Sequence, residues 1–136
     1  MYTGYYAKAK HYTDCGLVPV AISLHPPIWF DGLRYPALSP SASILNGYRY
    51  GEFKGDVEQY VRRFTAEVLG HLDRDKVKMD LMRLTGTDCD KIVLLCFERP
   101  GDFCHRHIVA SWLGNCTEYN VVRAGTPLPS KVSNFV

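Results

Sequence analysis

The segment Lys91-Ile92-Val93-Leu94-Leu95-Cys96-Phe97 constrains the fold more than any other part of the chain. It is an unbroken apolar run with no polar alternation, as expected for a strand covered on both faces. A strand of that kind belongs inside a parallel or mixed sheet with helices packed against it. Directly behind it, positions 96 to 107 read Cys-Phe-Glu-Arg-Pro-Gly-Asp-Phe-Cys-His-Arg-His. Ionisable chemistry is concentrated where the core strand ends.

The remaining segments agree with an α/β architecture. Tyr2 to Tyr6 reads as a short aromatic strand, and Leu17 to Leu24 as a second, mostly buried one with Pro19 near its start. A long Pro-rich loop follows through Trp29, Tyr35 and Pro40, of a length that is often functional. From Asp56, the expected N-cap, the residues Val57, Tyr60, Val61, Phe64, Val68 and Leu72 form one apolar stripe on a helix. A further helix runs from Asp75 through Val77, Leu81 and Leu84 to a stop at Gly86. Asp102 is placed to cap the next helix, whose Ile108, Val109, Trp112 and Leu113 face the core before Gly114 ends it. Cys116 to Val122 closes as a strand, and residues 123–136 form an irregular tail. The expectation is a single α/β domain over 1–136, a small parallel or mixed sheet flanked by helices.

A chain of 136 residues buries enough surface to fold unaided. Its net charge of +2 is too small for the basic stripe of a phosphate-backbone binder, so polymeric nucleic acid is not favoured as a partner. No apolar run approaches the ~20 residues of a membrane span, and the amino terminus is no signal peptide. The five cysteines are odd in number and lack paired short spacings, which argues against a disulfide framework and for a reducing cytoplasm.

Ligands of open α/β sheets bind beyond the carboxyl ends of the strands. Here the strand delivers Glu98 and Arg99, a Pro100-Gly101 turn reverses the chain, and a helix begins whose first turn holds Cys104, His105 and Arg106. A helix N-terminus attracts anions and favours thiolate. Arg106 and Arg99 are therefore candidate ligand-binding residues, and Glu98, Cys104, Cys96 and His105 candidate catalytic ones. Ser23, His25 and Tyr5, at the ends of the first two strands, join the ligand-binding set if those strands adjoin. Each has a plainer reading: Cys96 as a small core residue, His105 as an oriented core histidine, Arg106 as an ion-pair partner of Glu98, and Tyr5 as strand packing. His107 falls on the solvent face. Cys96, Cys104 and His107 lack the spacing of a zinc motif, so no metal and no cofactor is expected. The cysteine-phosphatase loop places its arginine six residues after its cysteine, and neither Asp102 nor Ala110 answers.

The string from Val93 to Arg106 resembles the hallmark of the domain of unknown function 488 family, Leu-Cys-x-Glu, a short turn and Cys-His-Arg. Cys96, Glu98, Cys104, His105 and Arg106 supply it in order. Tyr2-Thr3-Gly4-Tyr5 is similar to the family's opening strand, and the helix with Tyr60, Val61 and Phe64 also matches. The family's Asp-Val-Arg element is missing, with Ser23 and His25 in its place. The resemblance spans residues 2 to 122 and implies a small cytoplasmic α/β fold; it supplies no reaction. Three functions remain in view. One is an enzyme acting on a nucleotide-like or other phosphorylated small molecule. The second is a binding module that captures such an anionic ligand unchanged, with the loop of Trp29 and Tyr35 as its expected lid. The third is a structural protein in which the hallmark is an internal network.

Overall fold

The computed structural model describes residues 1–97 and 103–119. The apolar run forms strand β4, Ile92–Cys96, and every residue of it is buried. Around it lie β1 (Tyr2–Tyr5), β2 (Val18–Ala21), β3 (Leu33–Arg34) and β5 (Thr117–Glu118). The order is β3-β2-β4-β1-β5, and all the pairings are parallel. In register, β4 holds Gly4 of β1 against Leu95 on one side and Val20 of β2 against Leu94 on the other. The central, two-sided position explains the missing polar alternation.

Alternate residues of a strand face opposite sides. Ile92 and Leu94 enter a core with helices α2 (Ala42–Arg49), α3 (Val57–Glu67), α4 (Arg74–Thr85) and α5 (His105–Leu113). Val93 and Leu95 enter a smaller core with Tyr12 of α1 (Ala9–Asp14), Tyr6, Leu17 and Phe30. The sheet is thus covered on both faces, as the sequence required. Pro19 sits inside β2 without breaking the sheet. The Ala21 carbonyl accepts from Tyr35 on the β3 side, so Pro19, two residues earlier, turns its missing N–H to the same side. The β3 pairing begins only at Val20, so no ladder bond is lost there.

Local capping chemistry sets the helix starts. The Ser41, Asp56 and Asp73 side chains accept from the amides of Ile44, Gln59 and Lys76 at 3.2, 3.1 and 3.1 Å. Gly86, at φ 72°, closes α4 in the left-handed conformation. Gly4 has a different reason: a Cβ there would run into the Tyr12 ring, which lies against β1.

Several elements depart from the sequence reading. α1, β3 and α2 arise where no helix or strand was expected, and α1 and β3 are too short to show a period. α3 stops at Glu67, and Val68 and Leu72 reach the core from a short 3-10 turn at Leu69–His71 and its flanks. Leu84 is exposed rather than buried. α5 begins at His105 with Cys104 as N-cap, later than an Asp102 cap would place it. Asp102, the end of the expected last strand and the tail lie outside the described residues. No described helix is long and apolar enough to cross a membrane.

Candidate functional site

A cleft of about 360 Å³ opens at the carboxyl ends of β2 and β4, beside the start of α5. Its floor is Cys96, the last residue of β4, with Cys104 and His105 at the head of α5. Ser23, Leu24 and His25, just past β2, form one wall. The other comes from α2 and its surroundings: Tyr48 and Arg49, with Tyr60 of α3 and Phe103. Parallel topology is what sends β2 and β4 out at the same end, so the cleft lies where open α/β sheets take their ligands.

Cys96 and Cys104 are joined in a disulfide, contrary to the expectation from their spacing. An interval of eight residues looks unpaired along the chain. Cys96 falls on the sheet face that α5 covers, so the chain returns Cys104 to it. His105 lies against this pair. Its Nε2 is 2.7 Å from the Ile22 carbonyl oxygen, which can only accept, so Nε2 carries the proton and donates. Nδ1, with its lone pair, faces Cys96 Sγ at 3.4 Å and Cys104 Sγ at 3.8 Å. Burial pulls the imidazole pKa down to about 4, outweighing the opposing effect of the Ile22 bond, with Arg106 and His107 lowering it further. The ring is neutral at physiological pH. Phe64 packs against it, centroids 5.4 Å apart.

Arg106 does not reach the cleft. It is fully buried, and its Nε donates to Glu118 Oε1 at 3.2 Å. Thr3 Oγ1 donates to the same carboxylate oxygen at 2.9 Å. The ligand-binding assignment of Arg106 is therefore corrected: one residue beyond His105, the helix has turned its side chain toward β1 and β5. Tyr5 also stays outside, its backbone N–H donating to Tyr12 Oη at 3.2 Å. Tyr6 comes closer, because its hydroxyl shares a 2.5 Å hydrogen bond with Ser23. β1 and β2 flank β4 rather than each other, and this bond links their ends across it. His25 stands exposed at the rim, while His107 is half-buried rather than on a solvent face. Glu98 and Arg99 lie outside the described residues.

Neither Trp29 nor Tyr35 covers the cleft. Trp29 is exposed and packs on Tyr6 and Phe30, and Tyr35 donates to Asp80 of α4 at 2.8 Å. The aromatic wall is Tyr48, Tyr60 and Phe103, with centroids 5.0 to 5.5 Å apart. Sequence reasoning missed Tyr48, Arg49 and Phe103 as site residues and used Tyr60 only as core. The available signal was Ser41 as a cap followed by Ile44, Leu45 and Tyr48 at helical spacing. Among the described residues, Arg49 has no ion-pair partner and is the cation on the cleft wall.

Chemically, the site offers an aromatic wall of edge-on and tilted rings, an available guanidinium, and a floor whose two sulfurs become thiols on reduction beside an imidazole lone pair. The family model DUF488-N3a, described as the active DUF488-N3 subclade, matches residues 19–117. No curated protein and no solved structure matches the chain.

Proposed function

Because the chain belongs to the DUF488 family, in the DUF488-N3a subclade, we propose that it is a small-molecule enzyme acting on a nucleotide-like or other phosphorylated ligand held in this cleft. The observation that carries the reading is the convergence of Arg49, the Tyr48–Tyr60–Phe103 wall and the Cys96–Cys104–His105 floor around one opening. A planar heterocycle stacks on aromatic faces. A phosphate pairs with a guanidinium in two-point fashion. The volume lies within the range of small-molecule pockets. In the reduced cluster, two sulfur donors and the Nδ1 lone pair meet the ligand, and such groups hold and activate a nucleophile. Ser23 and His25 supply polar contacts from the β2 side, and Glu98 and Arg99 keep the acid–base and ligand roles their sequence position suggests. The description of the matched subclade as active also favours catalysis.

One observation favours a second reading. With the Cys96–Cys104 bond closed, the floor has no free thiol, which suits a module that captures its ligand unchanged. Incubating reduced protein with nucleoside monophosphates and sugar phosphates, then analysing the small molecule after denaturation, separates the two. A converted ligand is expected. Arg49→Gln should weaken binding about tenfold while leaving the fold intact, and His105→Asn should abolish turnover. If the folded, reduced protein binds no such phosphate, or binds it equally well without Arg49, the reading is wrong.

A further inference from the structure

The floor of the cleft has a geometry that the linear spacing of its residues conceals. We propose that, once the disulfide is reduced, Cys96 Sγ, Cys104 Sγ and His105 Nδ1 bind a single zinc-class divalent cation, with a fourth coordination position open to the cleft.

The three donor atoms lie within 4.8 Å of one another. Zinc binds thiolate sulfur at about 2.3 Å and imidazole nitrogen at about 2.0–2.1 Å, so tetrahedral ligands sit with sulfur and nitrogen about 3.5–3.6 Å apart. The observed separations from Nδ1 are 3.4 Å to Cys96 and 3.8 Å to Cys104, on either side of that value. Only the two sulfurs must part, to about 3.8 Å, which is the tetrahedral separation of two zinc-bound thiolates. The imidazole is already set for the task. Its Nε2–H is held by the Ile22 carbonyl at 2.7 Å, the kind of outer contact that fixes the tautomer and ring direction of a ligating histidine. Two thiolates and one imidazole select zinc over magnesium or calcium.

The spacing argument against zinc compared Cys96 and Cys104 with His107, which is not among the clustered donors. The histidine that faces the sulfurs is His105. A strand end and a helix start bring the donors together, so no short motif is required. Three protein ligands with an open fourth position characterise catalytic rather than structural zinc. All three residues line the cleft, so a water or a ligand atom can complete the coordination there.

The redox step balances. A dithiol donates two electrons and two protons to the Cys96–Cys104 bond and leaves as its own disulfide; the cation then displaces the two thiol protons to solvent. The catalytic use of this centre rests on the proposed function, but its test does not, because metal binding is read without any substrate. A failed metal test with intact turnover would sink this inference alone.

The full chain is reduced with a phosphine, which takes its oxygen from water and does not compete for the metal, and is titrated with cobalt(II) and then zinc. One equivalent of cobalt should give the visible bands of a tetrahedral thiolate complex, and zinc should bleach them. The oxidised protein should give none. Cys96→Ser, Cys104→Ser and His105→Asn should each lower zinc affinity by about a hundredfold or more, whereas Cys15→Ser and Cys89→Ser should not. Should the floor variants fail to fold, alkylation of the reduced wild-type chain decides: zinc should protect Cys96 and Cys104 and leave exposed Cys15 reactive. Absence of the cobalt bands in folded, reduced protein, or equal alkylation of Cys96 and Cys104 with and without zinc, overturns the assignment.

Discussion

Arg106 is among the largest side chains that the protein hides completely. Its guanidinium shares the interior with Glu118, which also accepts from Thr3, so α5, β5 and β1 meet at one carboxylate. Buried pairs of this kind add little net stability over apolar residues of the same shape, but breaking one strands an uncompensated charge. Arg106→Ala should therefore cost about 3–5 kcal/mol, measured by urea unfolding. The double change Arg106→Met with Glu118→Leu should recover most of that loss. An unchanged midpoint in Arg106→Ala would show that the pair holds nothing. The hallmark thus divides by role within two adjacent residues: His105 faces the cleft and Arg106 holds the fold. Sequence reading placed both at the head of one helix, but the partner that draws Arg106 away lies twelve residues further on. No local pattern reports that pairing.

At the scale of elements, Tyr35 fastens the connection after β3 to α4 through its hydrogen bond to Asp80. That bond is the main cause holding the Asp80 carboxyl below its ordinary range; desolvation opposes it, and Lys76 and Arg83 assist. Tyr35 is pushed up to about 12, first by desolvation and then by the same bond. The signs fix a window. A depressed carboxyl adds stability above its ordinary pKa and loses it as pH falls; a raised phenol adds stability that is lost as pH climbs past its ordinary value. The stability gap between wild type and Tyr35→Phe should be widest between about pH 4 and about pH 10 and narrow on both sides. Denaturant melts inside and outside that window check it, and a pH-independent gap would refute it. The cap of α3 is the simpler case: Asp56→Ala should cost about 1 kcal/mol by thermal unfolding. α3 was legible because it joins the Asp56 cap to an apolar stripe several turns long. α4 was legible because its apolar spacing ends in a Gly86 stop, although its cap is Asp73 and its start lies just before the Asp75 read from the sequence. α1, six residues in length, carries too few turns for a stripe to emerge, and in the eight-residue α2 the Ser41 cap and the spacing of Ile44, Leu45 and Tyr48 extend over only about two turns. The wall of the cleft was lost to view along with α2.

On the scale of the whole molecule, β4 links two unequal cores, a large one under four helices and a small aromatic one under α1. Leu94 serves the first and Leu95 the second, and both are completely buried. Leu94→Ala and Leu95→Ala should each lose about 2–5 kcal/mol, while Met79→Ala on the exposed face of α4 should stay within about 0.5 kcal/mol of wild type. Chemical denaturation of the three variants tests whether the strand governs both cores. A mild Leu95→Ala would mean that the aromatic layer is not part of the cooperative unit.

The sequence by itself determined the α/β class, the position of the central strand, the family, and the end of the sheet at which Cys96, Cys104 and His105 gather. These follow from runs, caps and turns, which act between residues close along the chain. Tertiary structure alone decided that Cys96 and Cys104 join, that His105 rather than Arg106 turns to the cleft, and that α2 supplies Arg49. Each depends on a partner distant in sequence, such as the Ile22 carbonyl, 83 positions from the histidine it orients. Periodicity says which face of an element is apolar, but only packing says what that face meets.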